Sequence, residues 1–141
     1  MVDPDSASFT IWFVGDAERN EIDYFDRVEY SLAPGMQVTV FKANRHGSCN
    51  GITRRYLVAV RPQFVMMSVG STNTFGHAHE QTKGVLRERL ILWMGTDVNG
   101  TVEFRTPGTT SGGYAVFTER DGISRSGSAD ATASGATGPP L

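Results

Sequence analysis

Three times within the first eighty residues the chain runs through an apolar stretch of strand length, breaks into a polar loop, and resumes with a helical pattern. The stretches are Phe9-Thr-Ile-Trp-Phe-Val14, Val38-Thr-Val-Phe41 and Phe64-Val-Met-Met-Ser-Val69. Near-continuous apolar runs of this length predict strands buried on both faces, and alternation with helices predicts βα units. The first run ends at Gly15-Asp16, ahead of a helix predicted over Ala17 to Arg27 with Ile22 and Phe25, and Tyr24 less firmly, turned inward. After the Pro34-Gly35 turn, the second run opens into Asn44-Arg45-His46-Gly47-Ser48 and a helix over Thr53 to Val60. The third empties into Gly70-Ser-Thr-Asn-Thr-Phe-Gly-His-Ala-His79, followed by a helix over Glu80 to Arg89. The expected class is α/β: a mixed sheet with helices on one face. In such folds reactive groups gather at the carboxyl ends of the strands, where Asp16, His46, His77 and His79 fall.

The rest of the chain completes one domain. Leu90–Met94 and Thr101–Arg105 bracket Asp97-Val98-Asn99-Gly100, and Asn-Gly between two such runs predicts a hairpin. Tyr114–Thr118 reads as a last edge strand. Residues 1–8 read as a flexible lead-in and residues 9–118 as the domain. The Gly, Ser and Ala of 119–141 bury too little apolar surface to order themselves.

Charge and cysteine content narrow the function classes. A net charge of −2 leaves no footprint for bulk nucleic-acid binding. Lys42, Arg45, Arg54, Arg55 and Arg61 do cluster around the His46 loop, as an anion-attracting patch or as a solvated face. The single cysteine, Cys49, excludes an internal disulfide and suits a reducing compartment. A thiol nucleophile there needs a histidine oriented by a third group, and local sequence supplies none nearby. The amino end, Met-Val-Asp-Pro-Asp-Ser, does not read as a signal peptide, and no apolar run approaches the roughly 18 residues of a membrane span, so a cytoplasmic location is expected.

An aspartate and a histidine on neighbouring strand ends suit a divalent metal, which turns bound water into a hydroxide nucleophile. The structural alternatives are plain. Asp16 can cap the helix that follows it, and each histidine can be a satisfied loop residue. Ser48 lacks the spacing of a nucleophile elbow.

Taken together, the segments Phe13-Val-Gly-Asp-Ala-Glu18, Phe41-Lys-Ala-Asn-Arg-His-Gly-Ser48, Ser68-Val-Gly with Asn73 and Phe75-Gly-His-Ala-His79, and Thr96-Asp-Val-Asn-Gly-Thr-Val102 resemble a known family. In order and spacing, from about residue 9 to 106, they look like the carboxyl-terminal half of a metallo-β-lactamase-fold hydrolase. The type is the domain appended to the competence DNA-uptake channel ComEC. The resemblance implies half of an αββα sandwich and metal-dependent hydrolysis of a phosphodiester or related ester. It implies Asp16 and His46 as ligands of zinc or manganese. It gives His77 and Arg45 catalytic roles, and places Ser48, Asn73 and His79 at the substrate. Arg45 stands where the family usually has a histidine, and arginine clamps a phosphate better than it donates a proton. Ala78 stands where relatives often have proline.

The family's main ligand motif, His-x-His-x-Asp-His, belongs to its amino-terminal half, and this chain has three histidines and no such motif. The chain is therefore expected to be a truncated copy, a fragment or one piece of a split protein. Its expected partner is a missing amino-terminal half or its own copy, its substrate an anionic phosphoester or nucleic acid. The competing reading is a non-catalytic remnant that binds a partner or completes another chain's site. Helices alone cover one sheet face, so the other is expected to stay apolar and wet beyond the roughly 300–600 Å² patch a monomer tolerates, driving self-association.

Overall fold

A computed structural model of the chain describes residues 9–28, 38–107, 113–120 and 124–128. The lead-in, the Pro34-Gly35 turn and the tail from 129 onward lie outside them. The fold is α/β. Strands β1 (Ile11–Phe13), β2 (Val40–Lys42), β3 (Phe64–Met67) and β4 (Leu92–Gly95) form a four-stranded sheet in the order β1-β2-β3-β4. Every pairing in it is parallel, with Trp12, Phe41, Val65 and Trp93 in register across the four strands. Between the strands come helices α1 (Arg19–Val28), α2 (Arg54–Val60) and α3 (Glu80–Glu88).

Side chains alternate along the strands, and the two resulting sets meet different partners. Phe41, Ala43, Val65 and Met67 pack with Ile22 of α1, Tyr56, Leu57 and Val60 of α2, and Leu86 of α3. All three helices therefore lie on one face, as parallel crossovers of one hand require when strand order follows chain order. The first two helices start on a local signal. The Glu21 carboxylate accepts the Glu18 backbone N–H at 3.0 Å, and the Thr53 hydroxyl accepts the Tyr56 N–H at 3.1 Å. Arg61, in the left-handed region at φ 42°, closes α2.

The opposite set, Val40, Phe64 and Met94 with Met66 and Leu92, packs against a second sheet. Its strands are β5 (Val102–Arg105), β6 (Gly113–Thr118) and β7 (Ser124–Ser128), paired antiparallel in the order β5-β6-β7. Val116 is fully buried between the sheets, and Phe64 meets Phe104 edge to face at 5.2 Å between centroids. Parallel and antiparallel pairings are thus both present, divided between two sheets.

Five local expectations need correction. The apolar second face is not left wet, because the chain after residue 100 supplies its own cover; what stays open is the β1 end, with Ile11 41% and Phe13 70% exposed. The Asn99-Gly100 hairpin does not form. Thr96–Asn99 instead makes the one-turn helix α4, in which the Asn99 side chain accepts the Gly95 N–H at 3.1 Å. Gly100, at φ 70°, then sends the chain to the other sheet. Asp16 is not the cap of α1, which begins at Arg19, and Tyr24 is 58% exposed. Finally, Ser124–Ser128 is a strand where composition predicts no order, because β6 offers a free backbone edge and ladder hydrogen bonds need no side chain.

Among the described residues no helix is long and apolar enough to cross a membrane.

Candidate functional site

The carboxyl edge of the parallel sheet carries the polar loops. Asp16 follows β1, one residue past Gly15, whose φ of 62° lets the chain turn off the strand. Asn44–Gly47 follows β2 as a tight turn in which Arg45, His46 and Gly47 all have positive φ, at 44°, 56° and 86°. Two non-glycine residues in that region carry backbone strain, which a packed surrounding must hold. Three contacts hold it. The Arg45 N–H donates to the Gly15 carbonyl at 3.0 Å, the Ser48 N–H to the Arg45 carbonyl at 3.0 Å, and the buried Asn44 amide to the Gly51 carbonyl at 2.9 Å.

This turn aims the His46 ring across the edge. Its Nδ1 lies 2.7 Å from the Ser68 carbonyl oxygen. A carbonyl only accepts, so Nδ1 carries a proton, and in the neutral ring the Nε2 lone pair faces outward. Nε2 lies 3.6 Å from Oδ1 of Asp16. A nitrogen and an oxygen bound to one ion at about 2.1 Å each stand at about this separation when the angle at the ion is near tetrahedral. The structure thus brings Asp16 and His46 together at the sheet edge. Among the described residues, however, no group of three His, Cys, Asp or Glu could hold a metal ion. A structural or catalytic zinc needs three or four protein ligands. The chain's own donor set does not fit a resident metal.

Arg45 pairs with an acid: its guanidinium sits 2.6 Å from the Glu18 carboxylate. Together with the Arg45 N–H on Gly15, this brackets Asp16 from both sides. His77 stacks on His46 at 6.2 Å between centroids and on Phe75 at 5.9 Å, and Phe75 is 76% exposed. Burial, then the neighbouring His79, His46 and Arg45, hold the His77 pKa below 6.5, against a smaller opposite pull from Asp16. Its ring therefore stays neutral at pH 7.

The remaining predicted residues build the loop. Asn73 is its hub, accepting the His77 N–H at 2.8 Å and donating to the carbonyls of His77 at 2.9 Å and Gly70 at 3.1 Å. Ser48 is buried, and its hydroxyl accepts the Asn50 N–H at 3.4 Å, so it shapes a turn and offers no open face to a ligand. His79 anchors the loop to the β2 turn, with its N–H on the Gly47 carbonyl at 3.1 Å and its Nδ1 accepting the Cys49 N–H at 3.2 Å.

Sequence reasoning missed two contacts. The Glu18 partner of Arg45 lies within the quoted Phe13–Glu18 segment, and a carboxylate two residues past Asp16 was the available signal. The Cys49–His79 contact spans thirty residues and had no local signal. A groove of about 580 Å³ also borders Asp16, lined by Val14, Ala17, Asn20, Glu21 and Tyr24, and none of the histidines lines it. The histidine array is an open edge rather than a closed pocket.

Comparison with known proteins gives a partial similarity. The chain is similar to ComE operon protein 3 of Bacillus subtilis (strain 168), with 27% identity over 75 residues. The aligned part is 53% of this chain and 10% of that protein, so the chain corresponds to a small part of its length. No family model matches the chain, and no solved structure matches it.

Proposed function

We propose that this chain is a metallo-β-lactamase-like half-domain whose polar edge contributes Asp16 and His46 to a divalent-metal hydrolase site completed by residues from outside it. The observation that carries the reading is the pair itself: a bare imidazole nitrogen and a carboxylate oxygen converging at 3.6 Å at the end of neighbouring parallel strands. The similarity to a ComE operon protein supports the same lineage. The missing third and fourth ligands make the chain alone a poor binder of zinc or manganese, and inactive as a phosphodiesterase. In the completed site the metal would supply a hydroxide nucleophile. The chain's own residues supply placement: Arg45 and Glu18 fix Asp16, the Ser68 carbonyl fixes the His46 tautomer, and neutral His77 is held beside both.

The chain alone is expected to bind Zn²⁺ weakly by calorimetry and to leave bis(p-nitrophenyl) phosphate intact. Mixed with an amino-terminal half-domain carrying His-x-His-x-Asp-His, it should gain hydrolysis that Asp16→Ala abolishes. Hydrolysis that survives Asp16→Ala in the mixture, or no gain despite formation of the complex, would overturn the reading. The alternative of a non-catalytic complementing module has the short donor set in its favour, and predicts complex formation without turnover.

A further inference from the structure

The β1 end of the large sheet, which the second sheet leaves open, has a defined backbone polarity. Among the described residues β1 pairs with β2 alone. The N–H groups of Thr39 and Val40 both donate to the Thr10 carbonyl, at 3.1 and 3.0 Å. Along a strand, the backbone groups of successive residues point to alternate sides of the ladder. Thr10, Trp12 and Val14 therefore turn theirs toward β2, and Ile11 and Phe13 aim both N–H and C=O away from it.

The side chains of those same two residues are the exposed ones. Trp12 lies on the helix side, where its indole N–H donates to the Tyr56 hydroxyl at 2.7 Å. Phe9, Ile11 and Phe13 lie on the other side. There Tyr114 reaches Phe9, at 5.7 Å between centroids, while Ile11 stays 41% and Phe13 70% exposed. Soluble chains guard a free sheet edge with charge or proline, and from Phe9 to Gly15 this chain has neither.

We propose that the β1 edge is a homodimer seam, in which the β1 strands of two copies pair antiparallel about a twofold axis at Trp12. The occupant is a second copy because the edge is complementary to itself. A twofold at Trp12 sets Ile11 of one copy opposite Phe13 of the other, on both sides of the axis. In this register the outward N–H and C=O groups of the two residues meet as hydrogen-bonded pairs, each pair exchanging both bonds. Each exposed Ile11 also gains an exposed Phe13 as its cross-strand neighbour, the aromatic and β-branched pairing that stabilises antiparallel strands. The axis stands perpendicular to the sheet, so the two large sheets become continuous and the contact closes at two copies. The two Asp16 residues fall at opposite ends of the seam. The pairing therefore neither supplies nor uses a metal ligand, and it is independent of the function proposed above.

Sedimentation velocity of the full chain tests this. A dimer that dissociates on dilution is expected at about 100 µM. Phe13 is exposed in the single chain, so Phe13→Lys should keep its circular dichroism spectrum while weakening the dimer about tenfold, because it sets a lysine against Ile11. The amide hydrogens of Ile11 and Phe13 should exchange slowly in the dimer, and fast in the diluted chain or in Phe13→Lys. A chain that stays monomeric at that concentration overturns the inference and leaves the edge to a strand of another protein. A dimer untouched by Phe13→Lys, unprotected Ile11 and Phe13 amides in the dimer, or growth beyond two copies overturns the seam.

Discussion

At the scale of single residues, the edge works by tautomer and by charge exclusion. His46 and His79 each donate one ring nitrogen to a backbone carbonyl, so each presents a lone pair in a defined direction, one to Asp16 and one to Cys49. Sequence made Asp16 and His46 legible because each follows a strand end. Their ring orientation was not legible, since Ser68 and Phe75 act through main-chain oxygens. His77 is held neutral by burial first, and then by its neighbours His79, His46 and Arg45. With its folded pKa below 6.5, the unfolded chain takes up the proton first as pH falls. Stability should therefore decline as pH drops through and below that value. His77→Gln should flatten the acid limb of a urea-midpoint-versus-pH curve. Lys42 poses the converse case at alkaline pH. It sits in register between Phe13 and Met66, and burial pushes its pKa below the ordinary 10.5 despite the pull of Asp16. The unfolded state again binds more protons between the two pKa values, so the penalty fades as pH rises toward 10.5. Lys42→Met should raise the urea midpoint at pH 7, with a gain that shrinks as the solution is made alkaline.

At the scale of elements, backbone conformation decides what side chains alone suggest. Thr53 and the stripe of Tyr56, Leu57 and Val60 announce α2 in sequence, and the helix forms as they indicate. Asp97-Val98-Asn99-Gly100 sends an equally clear hairpin signal, yet a four-residue helix forms. Asn99 caps back onto Gly95, and the Thr96 hydroxyl exchanges hydrogen bonds with both backbone groups of Val69, at 2.8 and 2.7 Å. Those contacts tie α4 to the end of β3, a long-range preference that four residues cannot encode. β7 is illegible for a related reason, because its order comes from the ladder with β6. One tight contact between loops is Gly47 under Ala78. Gly47→Ala combines a φ of 86° with a Cβ 2.8 Å from Ala78 Cβ and 3.1 Å from Met67 Sδ. It should cost about 1–3 kcal/mol and shift amide resonances throughout residues 70–79. A chain whose spectrum changes only at position 47 would show that the loop is not seated there.

At the scale of the whole molecule, the chain makes two layers of core. The helix layer was legible from the apolar runs and helix stripes. The sheet layer was legible in part: Thr101–Arg105 and Tyr114–Thr118 read as strands and form β5 and β6, but β7 is mostly serine and glycine, and no local pattern marks these strands as the cover of the first sheet. The cover given by β5–β7 makes Phe64 central, with its ring 1% exposed and set against Phe104. Phe64→Ala should cost about 3–5 kcal/mol in chemical denaturation, a large share of the 5–15 kcal/mol typical of a domain. Removing residues 101–141 should uncover Val40, Phe64 and Met94 together. That truncated chain is expected to bind a hydrophobic dye and to sediment as an assembly, while the full chain does so less.

The strand order β1-β2-β3-β4 also has a temporal side. Each parallel strand pairs with its predecessor in the chain, so the large sheet can grow from the amino end during synthesis without waiting for distant sequence. The covering strands are made after the sheet they cover. Until the ribosome has released Val116, the nascent sheet carries a greasy side with nothing on it, and that interval is when a chaperone or a sister chain finds it most easily.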